Sequence, residues 1–239
     1  DKVSYNGIRL YELRDWKLFV DKFTFQAKIK NKILKTFKVA PINIKKELER
    51  LSELRKIIPP YVADTYQLLN KALVDNKKIL MEGAHGVMLD VDFSPYPFST
   101  GSNVITGAVN TGAGIPPQKV GEVLGVVKAY TSRVGEGPLP TQIQGELADE
   151  IRERGGEFGT TTGRPRRIGW LDLEAVKFAC NVSGVTEIAI TKIDILSGLK
   201  EIKVCVGYKL NGKSISYSSC GYNELSTLTP VYKTLPGWK

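Results

Sequence analysis

The sequence predicts an α/β protein with a mostly parallel central sheet, a helical part at its N-terminus and a β-hairpin at the edge of the sheet. Over the first third of the chain, apolar residues recur every three or four positions, as they do in amphipathic helices. Short apolar runs of strand length then alternate with a helical pattern, which is typical of parallel sheets covered by helices. The Asn211-Gly212 pair separates two strand-like runs and indicates a two-residue hairpin turn.

The first third of the chain shows three helical stretches. Residues 9–38 combine Leu, Trp and Phe with many Lys at helical spacing. Residues 44–57 place their apolar side chains on one face, and Asn43 stands where it can cap the first turn. A Pro-Pro pair ends this helix, because proline cannot continue the backbone hydrogen bonding. A further helix is predicted within residues 61–75.

After residue 78 the pattern changes to short apolar runs. The first run is predicted to be a buried strand that ends at Gly83. A helix is predicted between the second and third runs, with Asp172 as its capping residue. The later runs cover residues 123–131, 187–191 and 201–210. Strands alternating with a helix in this way favour a parallel α/β core.

The distribution of charge divides the chain. It has 34 Lys and Arg against 25 Asp and Glu, a formal net charge of +9. Residues 1–78 hold 18 of the basic and 9 of the acidic side chains, whereas residues 79–239 hold 16 of each. We therefore predict a basic helical subdomain (1–78) and an α/β core (79–239). The positive charge alone suggests a polyanion. The aromatic residues are spread through the chain rather than striped over the basic ones, so no stacking platform for single strands is evident and nucleic acid is not the expected partner.

Cysteine and histidine usage restricts the compartment and the chemistry. The three cysteines, Cys180, Cys205 and Cys220, are odd in number and form no close pair, which indicates a reduced, cytoplasmic protein. No apolar run reaches 18 residues, so contact with a membrane is not expected. The single histidine, His85, argues against a multi-histidine metal site. The chain begins at Asp1 rather than Met, which suggests a piece of a longer protein.

Four segments beside strands, unusually rich in Gly, Thr and Arg for their position, hold candidate binding residues. Glycine lets backbone N–H groups approach a ligand, and Arg and Thr side chains bind phosphate and carboxylate oxygens. The segment with the strongest signal has three Thr and three Arg between glycines. Lys192 and Asp194 follow a strand, where α/β sheets bind ligands, and such a pair can recognise guanine. Each segment alone also fits a surface turn, and His85 fits a passive exposed histidine. The segments are 82–86, 131–141, 158–170 and 191–194.

Six motifs, in order along the chain, resemble the adenylosuccinate synthetase family. They are ILMEGAHGVMLDVDFSPYPFSTGSN, TGAGIPP, GVVKAYTSRVGEGPLPT, GGEFGTTTGRPRRIGWLDL, TKIDILSGLKEIKVCVGY and PVYKTLPGW. They cover nearly all of residues 79–239, and the first third matches more loosely, chiefly through DKVSYNGIRL. The resemblance implies a P-loop-GTPase-like central sheet. It also implies a GTP-dependent ligase: GTP phosphorylates the 6-oxygen of IMP, and the amine of L-aspartate then displaces the phosphate, the first committed step of AMP synthesis.

The resemblance also assigns residues to the three substrates. Positions matched to IMP binding are Thr100, Val134 and Arg164. Positions matched to aspartate binding are Thr161, Thr162 and Arg164. Positions matched to GTP binding are Arg166, Lys192 and Asp194. His85 is assigned a catalytic position that is usually Gln or Asn and that hydrogen-bonds near the 6-position of IMP.

Further expectations concern what the resemblance places outside the chain. The family's glycine-rich phosphate loop with its catalytic Asp, a general-acid His and a C-terminal segment of the guanine pocket have no match here. The implied cofactor, Mg²⁺, would be held in that N-terminal region, so no metal ligand is expected in this chain, and these 239 residues alone are expected to be inactive. A homodimer is implied, although Tyr5 stands where the family usually has an arginine that reaches the IMP phosphate of the partner subunit.

A second hypothesis is a non-catalytic module that binds nucleotides or another polyanion through its basic helices. Nucleic-acid binding of that kind would weaken steeply with salt, whereas a synthetase would prefer IMP or GDP. The basic region has no groove-reading or stacking motif, which favours the synthetase hypothesis.

Overall fold

The computed structural model describes residues 4–160 and 163–239. It divides into two compact units, Asp1–Ala72 and Leu73–Lys239. Within the described ranges, none of the helices combines the length and the hydropathy that a bilayer span requires.

The first unit is built mainly from two long helices, α1 (Trp16–Thr36) and α2 (Ile44–Ile57), in the two stretches where the sequence predicts them. The side chain of Asn43 accepts a hydrogen bond from a backbone N–H in the first turn of α2, which confirms it as the N-cap. The guanidinium of Arg55 lies 5.4 Å from the ring centre of Trp16, so a cation–π contact joins the two helices.

A third helix, α3 (Thr65–Val74), lies within the predicted range 61–75. Between α2 and α3 the Pro-Pro pair forms a short 3₁₀ turn, Pro59–Tyr61, and the helix ends before it as expected.

The prediction of a strand that ends at Gly83 is wrong. Residues 77–84 form neither helix nor strand, and the side chain of Leu80 is 95% exposed. A strand is stable only when a neighbour pairs its backbone groups, and no described strand lies beside this segment.

The described part of the second unit contains seven strands and four further helices. The strands are β1 (Leu124–Lys128), β2 (Tyr130–Arg133), β3 (Arg167–Asp172), β4 (Glu187–Thr191), β5 (Glu201–Leu210), β6 (Lys213–Ile215) and β7 (Thr229–Pro236). The helices are α4 (Ala108–Ala113), α5 (Glu146–Gly155), α6 (Leu173–Ser183) and α7 (Tyr222–Leu225).

These strands form two sheets. The smaller sheet is the parallel pair β1–β4. In the larger sheet β3 is antiparallel to β2 and parallel to β5, and β5 is antiparallel to both β6 and β7. The helices and the parallel pairings β1–β4 and β3–β5 confirm the predicted α/β class. Antiparallel pairings are more numerous than the sequence indicated, because the other three pairings of the described strands are antiparallel.

The apolar run 123–131 is not one strand but two. β1 pairs with β4, the chain leaves that sheet at Ala129, and β2 enters the larger sheet beside β3. The backbone N–H of Ala129 donates to the carbonyl of Thr191 over 2.8 Å, so the crossing point is tied to the end of β4.

The hairpin between β5 and β6 is the one predicted. Asn211 and Gly212 have φ angles of 50° and 79°, so both central residues are left-handed, as a type I′ turn requires.

The start of α6 is held by a buried carboxylate. Asp172 caps the helix by accepting from the backbone N–H of Ala175 over 3.2 Å, which confirms the predicted cap. Its second oxygen accepts a hydrogen bond from the buried hydroxyl of Tyr208 on β5. Burial raises the pKa of Asp172 above its ordinary value, although both hydrogen bonds act in the opposite direction.

Two apolar clusters form the core of the second unit. One lies between α5 and the strands β2 and β3 and contains Tyr130, Ile151 and Ile168. The other lies between β5 and the C-terminal turns and contains Cys205 and Tyr208. The first cluster supports the loops that follow β2 and α5.

Candidate functional site

Two arginines hold the loop that follows β2. Arg133, at the end of β2, donates to the carbonyls of Glu136 (2.9 Å) and Phe98 (3.0 Å). Arg167, its partner across the β2–β3 ladder, donates to the carbonyls of Gly135 (3.1 Å) and Gly137 (2.6 Å). Because both guanidinium groups bind backbone carbonyls, the loop keeps one shape.

Val134 and Thr100, both assigned to IMP, lie on loops that are joined in this way. Val134 is 46% exposed at the start of the loop held by Arg133. Thr100 lies two residues after Phe98, whose carbonyl accepts from Arg133, and the backbone N–H of Thr100 donates to the carbonyl of Leu89 over 2.7 Å. The structure therefore connects the two segments that carry these residues.

A buried aspartate organises the loop that carries Thr100. Asp90 is fully buried and accepts from four backbone N–H groups at distances of 2.6–3.3 Å. Burial alone would raise the pKa of Asp90, but these four hydrogen bonds outweigh it and lower the pKa. Asp90 was not among the residues predicted from the sequence. Its carboxylate joins the two ends of the loop, because it accepts from N–H groups at residues 92–93 and at residues 104–105.

His85 occupies an exposed turn just before this loop. Its φ of 66° is left-handed, and Gly86 follows with a φ of 109°. Among the described residues, the contacts that join the loops of Thr100 and Val134 come from Arg133 and do not involve the imidazole. The structure thus leaves His85 accessible, without bringing it into contact with the predicted IMP residues.

A dense polar cluster in the second unit surrounds Glu157, whose side chain is 1% exposed. One carboxylate oxygen accepts from Lys128 Nζ (2.6 Å) and from the hydroxyl of Tyr130 (2.7 Å). The other accepts from Arg166 Nη1 over 2.9 Å. Burial opposes ionisation, but the three hydrogen bonds prevail and lower the pKa of Glu157 to about 2. The carboxylate is therefore charged at neutral pH.

Glu157 and Arg166 also form the base of the loop rich in Thr and Arg. The backbone N–H of Arg166 donates to the carbonyl of Glu157 (2.9 Å), and that of Gly159 donates to the carbonyl of Arg164 (2.8 Å). Arg164 is exposed on one arm of the loop. Thr161 and Thr162, assigned to aspartate, lie outside the described residues. The structure thus shows a narrow loop closed by an ion pair at its base.

Lys192, just after the end of β4, is tied to the backbone beside this cluster. Lys192 has a left-handed φ of 60°, and its Nζ donates to the carbonyl of Gly155 over 2.9 Å. Burial and the Glu157 carboxylate raise the pKa of the Tyr130 phenol, and the charge of Asp194 contributes in the same direction. Arg166 therefore binds Glu157 directly, and Lys192 binds the carbonyl of Gly155, two residues before Glu157.

The centre of this cluster was not predicted from the sequence. The position of Glu157 between glycines in GGEFG was the one local feature that could have indicated a functional role. Tyr130 and Lys128 lie in an apolar run that the sequence predicts as a single strand. Their contacts with Glu157 join residues 27 and 29 positions apart in the chain.

The described residues include no group of three or more His, Cys, Asp or Glu side chains that could hold a metal ion. The family resemblance places the ligands of Mg²⁺ outside this chain, and none is assigned to the described residues.

The described residues thus form an α/β scaffold with the guanidinium of Arg166 and the ammonium of Lys192 on loops beside its strands, and cations so placed are typical of proteins that bind small anionic ligands. A family model described as adenylosuccinate synthetase matches residues 1–239. The chain belongs to the adenylosuccinate synthetase family.

Relatives and a solved structure agree with this assignment. Over 239 residues the chain is 44% identical to the adenylosuccinate synthetase of Halothermothrix orenii and 46% identical to that of Carboxydothermus hydrogenoformans. It is also similar to the structure of fully ligated adenylosuccinate synthetase from Plasmodium falciparum, with a TM-score of 0.93 and 35% identity. In each comparison 100% of this chain is covered but only 56% of the other protein, so the chain spans about half the length of these relatives. The resemblance and the fold inferred from the sequence are confirmed.

Proposed function

We propose that this chain carries substrate-binding parts of a GTP-dependent ligase that joins L-aspartate to IMP through a 6-phosphoryl-IMP intermediate. Membership of the adenylosuccinate synthetase family supports a ligase of purine biosynthesis. The observation that carries the finer proposal is that Arg166 binds Glu157 and Lys192 binds the carbonyl of Gly155, so two positions matched to GTP binding lie at one cluster.

The proposed roles follow from side-chain chemistry. Asp194 accepts from the ring N–H and the exocyclic amine of guanine, while the stem of Lys192 covers the base. Arg166 offers a permanently charged guanidinium to the nucleotide. Its Nε is buried and has no partner among the described residues, so a phosphate oxygen would satisfy it.

The IMP and aspartate sites are proposed on the neighbouring loops. Thr100 binds the IMP phosphate, and Val134 contacts its ribose. Arg164 serves both substrates and, with Thr161 and Thr162, binds the aspartate carboxylates. A loop that closes on the substrate would also exclude water from the reactive phosphoryl intermediate.

His85 is proposed to donate a hydrogen bond near the 6-position of IMP. Imidazole can donate in its neutral and its protonated forms, so the substitution of the family's usual Gln or Asn preserves that capacity. No Mg²⁺ ligand is proposed among the described residues, and a cytoplasmic homodimer is proposed on family grounds.

The proposal is tested in a complete protein that contains these 239 residues. Purified enzyme with IMP, aspartate, GTP and Mg²⁺ should form adenylosuccinate, GDP and phosphate in equal amounts. RNA should not compete with GDP for binding. Absence of product, together with RNA binding that falls steeply with salt, would favour a polyanion-binding module instead.

Replacing Arg164 by alanine should mainly weaken the use of aspartate. Loss of a charge-assisted hydrogen bond to a carboxylate costs about 1.5–3 kcal/mol, which corresponds to a KM for aspartate raised roughly 10–100-fold. Arg50→Ala is the matched control, because Arg50 is an exposed arginine on α2 that pairs with Glu47. An aspartate KM that stays the same in Arg164→Ala would contradict the assigned role.

A further inference from the structure

We propose that Glu157 is a positioning residue for the nucleotide site: its buried carboxylate holds the Arg166 guanidinium in place and joins it to the segment that carries Lys192 and Asp194. The inference rests on the proposed function, which places Arg166, Lys192 and Asp194 at GTP. Glu157 itself is not assigned a contact with substrate.

The first argument is the geometry around the carboxylate. Glu157 accepts three side-chain hydrogen bonds of 2.6–2.9 Å, and the one from Arg166 Nη1 goes to its second oxygen. Lys128 and Tyr130 fix the first oxygen from β1 and β2, so the second oxygen has a defined direction. One strand from each of the two sheets therefore orients Arg166 through Glu157.

The second argument is the state of Arg166 itself. Its carbonyl accepts from Arg152 Nε (2.8 Å), and its backbone N–H donates to Glu157, so the main chain is fixed on both sides. The Nε–H is buried without a partner among the described residues. A buried N–H without an acceptor raises the free energy of the folded protein, and an anion that accepts its hydrogen bond removes this cost. The guanidinium is therefore oriented to bind an anion.

The third argument is charge balance. Two cations, Lys128 and Arg166, share one carboxylate, so the cluster keeps an excess positive charge that attracts an anionic ligand. Without the carboxylate the two cations would repel each other. Lys128 lies on a strand and Arg166 on a loop, so Arg166 is the one expected to move. Its side chain, 27% exposed, would then turn towards solvent.

The fourth argument is the close approach at Gly155. A Cβ at this position would collide with the Tyr130 hydroxyl and would lie 3.1 Å from Glu157 Cγ. Only glycine allows the backbone to pass this close to the cluster. The carbonyl of the same residue accepts from Lys192 Nζ, so one residue connects the Glu157 cluster with the proposed guanine pair.

The test compares Glu157→Gln with Glu150→Gln in the complete protein. The glutamine introduced by Glu157→Gln would keep the size and an acceptor for Lys128 and Tyr130, but its amide nitrogen cannot accept from Arg166. Glu150 is the control, because it forms an exposed ion pair with Arg154 on α5, the helix that precedes Glu157. Values of kcat and of KM for GTP, IMP and aspartate are measured for both variants.

We expect Glu157→Gln to raise the KM for GTP about tenfold and Glu150→Gln to change it less than about threefold. The KM values for IMP and aspartate should change far less than that for GTP, which a general loss of structure would not produce. In an Arg166→Ala background, Glu157→Gln should add little, because it acts through Arg166. Equal KM values for GTP in the two glutamine variants, or full additivity with Arg166→Ala, would overturn the inference.

Binding of GDP by calorimetry separates this inference from the proposed function. If the complete protein forms no adenylosuccinate but binds GDP about tenfold more weakly after Glu157→Gln, the reaction assignment fails and the positioning role stands. If adenylosuccinate is formed but GDP binding and the KM for GTP are untouched, the reaction stands and the positioning role fails. If neither product nor GDP binding is found, both are overturned.

Discussion

Glu157→Ala is expected to lower the free energy of unfolding by about 3–5 kcal/mol, the cost of removing one partner from a buried ionic cluster. The truncation leaves the Lys128 ammonium, the Arg166 guanidinium and the Tyr130 hydroxyl without their common acceptor. Urea denaturation of wild type and variant measures the difference. Glu150→Ala, which breaks an exposed pair on α5, should cost less than about 1 kcal/mol.

The same carboxylate gives this stability a defined pH dependence. The pKa of Glu157 is lowered to about 2 in the folded protein, from an ordinary value near 4.5. A carboxyl with a depressed folded pKa contributes stability that is present above its unfolded pKa and is lost as the pH falls towards its folded pKa. The stability difference between wild type and Glu157→Gln should therefore shrink between about pH 5 and about pH 2. A difference that is constant over this range would contradict the charged role of Glu157.

Asp172→Ala is expected to cost about 2–4 kcal/mol, because it removes two interactions at once. The N-cap of α6 is lost, and the buried hydroxyl of Tyr208 is left without its acceptor. Thermal and urea unfolding of the variant measure the loss.

Asp172→Asn is the matched control for that prediction. Asparagine is an equally good N-cap and keeps an oxygen for the Tyr208 hydroxyl. Since burial raises the pKa of Asp172, a neutral side chain also avoids the cost of burying a charge. We expect Asp172→Asn to stay within about 1 kcal/mol of wild type at neutral pH. A loss as large as that of the alanine variant would show that the charge, and not the hydrogen bonds, holds α6.

The features predicted correctly from sequence are those that depend on neighbouring residues. Asn43 caps α2 and Asp172 caps α6 through backbone groups three residues away. The left-handed angles of Asn211 and Gly212 follow from their own residue types, because asparagine tolerates this region and glycine has no Cβ to clash there. A local pattern was sufficient in each case, because the stabilising contact lies within one turn.

The predictions that failed depend on distant partners. The run that ends at Gly83 has the apolar character of a strand, but no described strand pairs with it. The run through Ala129 has uniform β character, yet its two halves belong to different sheets, and only the positions of β3 and β4 reveal this.

The candidate site also has features that depend on residue type alone and features that depend on distant partners. The candidate loops and their Arg and Lys residues were visible in the sequence, because these residue types alone suit anions. The Glu157 carboxylate was not visible in the sequence. Its role depends on hydrogen bonds from Lys128, Tyr130 and Arg166, which come close to it only in the folded chain.

The change of sheet at Ala129 has a mechanical consequence. Lys192 and Asp194 follow β4, which is hydrogen-bonded to β1, whereas Arg166 directly precedes β3 in the other sheet. A rotation of the parallel pair β1–β4 about Ala129 would therefore alter the spacing between Lys192 and the Arg166 guanidinium without breaking any strand pairing. Contacts that resist such a rotation include the Lys128–Glu157 ion pair, the bond from Lys192 to Gly155 and the packing of Ile195 and Leu196 in the core.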